Sequence, residues 1–387
     1  MHVASNPLLL GKTRVFIILK YGKTTIFLLL VFVLLSVSLY YLVNKYTYST
    51  YFRALIPFTT QTTISSKVST KPQKIFYGVN IEMSQILPGS KNYIVNSKGE
   101  DLIDVASKLG INIFRITNST GIDSKNTAMY SQKQWDTVLN KMQKKNIKAL
   151  ILIESPTIYQ KYITSDYLPF VKKYVIRSGV LLNPDVYGVD LYNEPVINSY
   201  TNIAQMKNAS AMIKSEYPKT NVTVGWWATD TFQKDRKGKE IYDWDNYRAG
   251  TQLNSFIDFY AIHMYGFDKP TFGIYPDPYT FTQIFLNDVE NGLQTNKPIL
   301  IEEFGAANGD TLSDQDTLGS PHIQENTYQG VYEALTKRND KQIIGAVAYQ
   351  FISRVTGPDA WAIAKNNGNY LFPAAYILQN YAKQQSN

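Results

Sequence analysis

Residues 187–195 read Tyr-Gly-Val-Asp-Leu-Tyr-Asn-Glu-Pro, a short apolar strand pattern that ends at the carboxylate of Glu194. A second apolar run, Lys-Pro-Ile-Leu-Ile at 297–301, leads into Glu-Glu-Phe-Gly at 302–305. Burying a carboxylate is unfavourable, so a carboxylate that closes an apolar strand indicates chemistry or an ion pair. Two carboxylates that face each other are the minimum set for cleaving a glycosidic bond.

The spacing of the two patterns along the chain predicts a barrel. It corresponds to about three βα units of a (β/α)8 barrel, a fold of about 250 residues. Strand patterns alternate with helical patterns, the last of which opens with Pro373. Eight strands are predicted, at 75–80, 112–116, 149–153, 188–192, 222–226, 259–263, 299–302 and 343–349. We therefore expect an α/β fold with one (β/α)8 TIM barrel over residues 74–387.

Four motifs together resemble a known family. Asn193-Glu194-Pro195 and Glu303-Phe304-Gly305 are similar to the catalytic segments of clan A glycoside hydrolases, and most similar to family 5. Residues 110–116 (Gly-Ile-Asn-Ile-Phe-Arg-Ile) resemble the arginine segment of that family's second strand. His263-Met264-Tyr265 resembles its sixth-strand segment. The motifs follow the family's order and cover most of residues 74–387.

The resemblance implies a retaining glycoside hydrolase in which Glu303 is the nucleophile and Glu194 is the acid/base. A β-linked glucan or mannan is the implied substrate, and no cofactor is expected. Asn193 would hydrogen-bond the sugar 2-hydroxyl, although an asparagine before a proline also suits an ordinary turn. Arg115 would lie near Glu303 and keep that carboxylate ionised; a buried structural ion pair is the ordinary alternative, and the two are compatible.

The resemblance also implies that Tyr265 donates to Glu303 and that His263 lines the same site. A hydrogen-bonded core histidine is the ordinary alternative for His263. Strand alternation places Glu302 and Glu303 on opposite faces and does not say which face is inward. The family pattern, in which the nucleophile directly precedes an aromatic residue, selects Glu303.

Aromatic residues after the strands are candidates for stacking on sugar rings, with ordinary packing as the alternative. These residues are Trp226, Trp227, Trp244 and Trp361. The eighth strand ends at Tyr349, where the family commonly has a tryptophan, so Tyr349 is expected to take that place. Ile153-Glu154-Ser155-Pro156 also departs from the Asp and His that usually end strand three. Glu82 and Glu154 are second-rank candidates for binding hydroxyl groups.

Charge is distributed unevenly along the chain. Residues 1–73 contain eight Lys and Arg and no Asp or Glu, whereas the remaining 31 basic residues balance 31 acidic ones. A neutral body gives no reason to expect nucleic acid as a partner. The uncharged run 24–43 is long enough to span a bilayer, and the basic residues before it predict a cytoplasmic N-terminus. We expect a single-pass anchor in the cell membrane with an extracellular catalytic domain; a cleaved signal peptide is the alternative.

The other expectations concern domains and metals. Residues 1–23 are predicted to be a cytoplasmic basic segment, 24–43 the transmembrane anchor and 44–73 a Ser/Thr-rich tether. The chain has no cysteine and three histidines, so we expect neither disulfides nor a transition-metal site in a monomeric barrel. A transglycosidase, which uses the same covalent intermediate, and a noncatalytic carbohydrate-binding barrel remain alternatives to a hydrolase.

Overall fold

The computed structural model describes residues 75–117, 130–153, 163, 165–197, 199–227, 233–234, 240–241, 250–265, 277–309, 320–338, 341–352, 361–365 and 367–384. At 227, 233–234 and 240–241 only the backbone is described. The predicted anchor, its basic segment and the tether therefore lie outside the described residues, as do Glu154 and Trp244. Within the described ranges, no helix combines the length and the apolar character that crossing a membrane requires.

Eight parallel strands close into a barrel in which each strand lies beside the next barrel strand along the chain, and the last pairs with the first. The predicted strands are confirmed, and their ends shift by at most two residues. They are β1 Phe76–Glu82, β2 Ile113–Thr117, β3 Lys148–Leu152, β4 Val186–Asn193, β5 Asn221–Trp227, β6 Tyr260–Met264, β7 Ile299–Phe304 and β8 Ile343–Ala348. A short antiparallel pair, Gln233–Lys234 with Glu240–Ile241, lies between β5 and β6 in the chain and was not predicted.

Helices connect the strands. They are α1 Met83–Ile86, α2 Leu102–Lys108, α3 Gln132–Lys144, α4 Tyr167–Val171, α5 Tyr200–Glu216, α6 Pro278–Leu293, α7 Pro321–Arg338 and α8 Pro373–Gln384. A π-helical turn, Lys172–Ile176, continues α4, and 3-10 turns cover Val180–Leu182 and Gln252–Ser255. Local sequence sets the helix starts: the Asp101 side chain accepts hydrogen bonds from the backbone N–H groups of Ile103 and Asp104.

The core has two layers, as the alternation of side chains along a barrel strand requires. A small inner cluster fills the barrel with seven fully buried residues: Ile113, Leu150, Phe259, Ala261, Leu300, Ile344 and Val347. A much larger outer cluster joins the barrel to the helices. The inner cluster leaves the carboxyl ends of the strands to polar side chains.

Candidate active site

Charged side chains lie two residues beyond the apolar residues that fill the barrel. On β2, inward-facing Ile113 is followed by Arg115, and on β7, Leu300 is followed by Glu302, so the strand period of two places both charges inside. Both charged residues are almost fully buried. Charges buried in this way persist only when they are paired, and here they pair with one another.

Arg115 is the centre of this cluster. Its Nη1 donates to Asn80 Oδ1 at 2.9 Å and to Glu303 Oε1. Its Nη2 donates to Asp190 Oδ2 at 2.7 Å and to Asn193 Oδ1 at 2.8 Å. A planar guanidinium with several donors suits this task better than a lysine ammonium would. One side chain thereby orients residues from β1, β4 and β7.

Opposite charges determine the protonation of the cluster. Burial alone would lower the pKa of Arg115, but the charges of Glu302, Asp190 and Glu303 raise it well above its usual value. Burial and the charge of Glu302 raise the pKa of Asp190 to about 8, and Arg115 and the Gly225 N–H oppose that rise. Arg115 is therefore permanently charged, and the cluster contains more carboxylates than cations.

Glu303 is held by donors on both oxygens. Arg115 donates to Oε1, and the Tyr265 hydroxyl donates to Oε2 at 2.7 Å. Burial and the charge of Glu303 raise the pKa of Tyr265 well above its usual value, so the phenol keeps its proton. Donors on both oxygens stabilise the ionised carboxylate, which is the form that attacks as a nucleophile.

Glu194 follows β4 in an unusual backbone conformation. Its φ is 51°, in the left-handed region that is uncommon for residues other than glycine. Its N–H donates to Gly225 O at 2.7 Å, which ties this bend to β5. The Glu194 side chain is 26% exposed, compared with 7% for Glu303. Glu194 is therefore the carboxylate of the pair that is more open to solvent.

His263 lies between two carboxylates. Its Nδ1 is 2.7 Å from Glu194 Oε1, and its Nε2 is 3.2 Å from Glu302 Oε2. Glu303 Oε2 also lies 3.6 Å from Nδ1. Burial alone would lower the pKa of His263, but these three glutamates raise it to about 10. The ring is therefore an imidazolium at neutral pH.

Glu302 and Glu303 face the same cluster, so strict alternation does not hold at the end of β7. The pairing of β6 with β7 shifts register between Ile262 and His263, which aligns His263 with Glu303. This irregularity turns both carboxylates towards Arg115: Glu302 Oε1 is 3.3 Å from its Nε. Bulges near active sites commonly redirect a side chain in this way.

The catalytic candidates are close together. One carboxylate oxygen from each of Glu194 and Glu303 and one ring nitrogen of His263 lie within 4.8 Å of one another. A metal ion could fit that spacing, but both Glu303 oxygens already accept hydrogen bonds, from Arg115 and from Tyr265. We assign no metal ligands here.

The predicted aromatic residues divide into different environments. Trp226 points away from the barrel interior, is 1% exposed and packs against Tyr260, so its predicted role in stacking on sugar is wrong. The reason is alternation, because neighbouring Gly225 takes the inward position. The half-buried ring of Trp361 meets the Tyr265 ring edge-on, with centroids 5.6 Å apart. Tyr349, also half-buried, follows β8 and donates its N–H to Phe304 O at 2.8 Å.

Three further sequence candidates have other outcomes. The side chain of Trp227 is outside the described part of the chain. Glu82 is buried at the end of β1, and its side chain accepts a hydrogen bond from a backbone N–H in a capping box on α1, so it has a structural task. Asn193 joins the cluster through Arg115.

Sequence reasoning missed three members of the cluster. Asp190 was visible as a lone acid inside an apolar strand, which was a usable signal. Asn80 donates to Glu302 O at 3.2 Å and to Ala348 O at 3.3 Å, and nothing in its local sequence indicates this. Gly225 is required by close approach: an added Cβ would lie 2.7 Å from Glu302 Oε2.

Comparison with known proteins identifies the family of the chain. Residues 75–347 match the family model described as cellulase (glycosyl hydrolase family 5). That match covers more than half of the chain. No curated protein sequence matches the chain.

Solved structures share the fold at low sequence identity. A GH2 β-galacturonidase from Eisenbergiella tayi bound to galacturonate is 12% identical with a TM-score of 0.55, over 80% of this chain and 51% of that one. A β-glucuronidase from Ruminococcus gnavus in complex with D-glucuronic acid is 11% identical with a TM-score of 0.54, over 80% and 49%. The chain spans about half the length of these structures, and the likeness concerns the fold alone.

Proposed function

This chain belongs to glycosyl hydrolase family 5 and is therefore a glycoside hydrolase; we propose that it cleaves β-linked glucans or mannans with retention at the anomeric carbon. The observation that supports the proposal most strongly is the close approach of Glu194 and Glu303: one carboxylate oxygen of each lies within 4.8 Å of the other. Retaining enzymes hold their carboxyl groups about 5 to 5.5 Å apart, and inverting enzymes about 6.5 to 9.5 Å apart.

The different environments of the two glutamates support different roles for them. Glu303, held ionised by Arg115 and Tyr265, attacks the anomeric carbon while the bond to the leaving oxygen breaks. Glu194, the more exposed partner, gives its proton to that oxygen and then takes a proton from the water that cleaves the glycosyl-enzyme ester. Asn193, oriented by Arg115, hydrogen-bonds the sugar 2-hydroxyl.

A panel of β-glycans tests the substrate class. The full-length protein is incubated with β-glucans, mannans and matched α-linked polysaccharides, and reducing ends and product lengths are measured. Glu303→Gln is the control for contaminating activity. We expect cleavage of a β-glucan or a mannan only. Products longer than the substrate in excess acceptor sugar would favour a transglycosidase, and binding without cleavage would leave a carbohydrate-binding barrel.

We also propose that the run 24–43 anchors the barrel on the outer side of the cell membrane. The support is the uncharged run itself, preceded by Lys12, Arg14, Lys20 and Lys23. Fractionation and protease treatment of intact cells test this proposal. We expect full-length protein in the membrane fraction with the barrel accessible from outside. A soluble form that starts near residue 45 would show a cleaved signal peptide instead.

A further inference from the structure

One buried carboxylate has no task in the mechanism above. Glu302 is fully buried, directly precedes the proposed nucleophile and contacts both cations of the site. Its Oε2 is 3.2 Å from His263 Nε2, and its Oε1 is 3.3 Å from Arg115 Nε. These two cations in turn contact the two proposed catalytic groups: His263 contacts Glu194, and Arg115 contacts Glu303.

The geometry around His263 restricts how protons are arranged. Each ring nitrogen faces a carboxylate oxygen at hydrogen-bond distance. If the ring carried only one proton, one nitrogen lone pair would point at a carboxylate oxygen, and two acceptors in contact repel each other. The other oxygen of Glu302 lies 3.3 Å from Arg115 Nε, so the Glu302 carboxylate lies between two nitrogen groups that can donate to it.

We propose that Glu302 is a positioning residue that keeps both ring nitrogens of His263 protonated, so that His263 is always a donor to Glu194 Oε1. The proposal rests on the proposed acid/base role of Glu194. Because Oε1 already accepts from His263, the proton that Glu194 exchanges with the leaving group and with water is carried on Oε2.

The charges that face His263 agree with this assignment. Glu194 approaches from β4, and Glu302 and Glu303 approach from β7. Arg115 on β2 lies behind Glu302 and is the nearest competing cation. Asp190, on β4, contacts the same guanidinium. Three carboxylates therefore surround the ring directly, and Glu302 is the one that reaches Nε2.

Nitrogen NMR of histidine rings tests the proposal without any substrate. The chain has three histidines, so ¹⁵N-histidine labelling of the full-length protein gives few signals, and the set lost in His263→Gln identifies His263. His322, whose side chain is 77% exposed on α7, is the internal reference whose signals should match between variants. In the unmodified protein, we expect both His263 nitrogens to remain protonated between about pH 5 and 8.

Two substitutions at Glu302 distinguish the effect of its charge from the effect of its size on the protonation of His263. Glu302→Gln keeps the size but removes the charge, and we expect His263 to lose a ring proton within that pH range. We also expect kcat to fall by roughly 100-fold, as when a catalytic group is misplaced. Glu302→Asp keeps the charge, so both His263 nitrogens should remain protonated.

The outcomes are distinguishable. A His263 ring with a single proton in the unmodified protein, or one that stays doubly protonated in Glu302→Gln, would overturn the proposal. If Glu302→Gln does not fold, the unmodified protein and Glu302→Asp still decide it. Failure of the proposed hydrolase activity would leave the NMR result unchanged, so the two claims fail separately.

Discussion

At the scale of single residues, two adjacent glutamates have different partners and different proposed tasks. Glu303 accepts from Arg115 and from Tyr265, so both its oxygens are oriented. Glu302 lies deeper and contacts His263 and Arg115. The sequence pattern could select Glu303 by its position before Phe304, but it could not show that both carboxylates point into the same cluster.

Neutral substitutions at the two positions should therefore differ in effect. Glu303→Gln removes the proposed nucleophile and should lower kcat on the order of 10⁴-fold or more. Glu302→Gln removes a supporting charge and should lower kcat far less. Steady-state kinetics on the best substrate from the glycan panel, with circular dichroism to check folding, makes the comparison. Equal losses at the two positions would contradict the assignment.

At the scale of elements, three backbone features allow the charges to converge. The pairing of β4 with β5 shifts register between Asp190 and Asn193, and the pairing of β6 with β7 shifts register after Ile262. The third feature is Gly225, a glycine in β5. An added Cβ at Gly225 would lie 2.7 Å from Glu302 Oε2, 2.9 Å from Asp190 Oδ2 and 3.0 Å from Arg115 Nη2. All three side chains are buried and held by other partners, so none can move away easily. The close approach of β5 is thus part of the site.

Gly225→Ala should weaken both stability and catalysis. We expect the free energy of unfolding to fall by about 1–3 kcal/mol, as for other overpacked sites, and kcat to fall with it because Arg115 is displaced. Gly89→Ala is the control: its Cβ meets nothing within 4 Å, but its φ is +81°. That variant should lose about 1 kcal/mol of stability and keep its kcat. Unchanged kcat in Gly225→Ala would refute the close-approach argument.

At the scale of the whole molecule, the barrel was predictable and its charged interior was only partly so. The alternation of strand and helix patterns identified all eight strands, because buried parallel strands are short apolar runs between helices. The inward direction of a residue depends on register, which the sequence does not encode locally. That is why Trp226 was wrongly assigned to the site and why Asn80 was missed.

The buried charges should make the stability of the molecule depend on pH. The pKa of His263 is raised from 6.5 to about 10, so between these values the folded state holds a proton that the unfolded state releases. The contribution of this proton to the free energy of unfolding is complete below pH 6.5. It is lost as pH rises towards 10, at up to about 1.4 kcal/mol per pH unit. Asp190, whose pKa is raised to about 8, likewise makes the free energy of unfolding fall as pH rises.

Denaturant unfolding at a series of pH values checks this expectation. The free energy of unfolding should decline as the solution becomes more alkaline, and His263→Gln should show a shallower decline. A stability that rises between pH 6.5 and 10 would contradict the charge assignment of the cluster.

The central claim is that Glu194 and Glu303 act by double displacement, and the product formed by azide with Glu194→Ala tests it most directly. Without its acid/base, the variant should still cleave an aryl β-glycoside with a good leaving group, because that group departs without protonation. Azide should restore turnover by attacking the glycosyl ester of Glu303 from the face that Glu194 had occupied. We predict that proton NMR will identify the product as the β-glycosyl azide. An α-glycosyl azide would mean direct displacement with inversion, and the account of this site would be wrong.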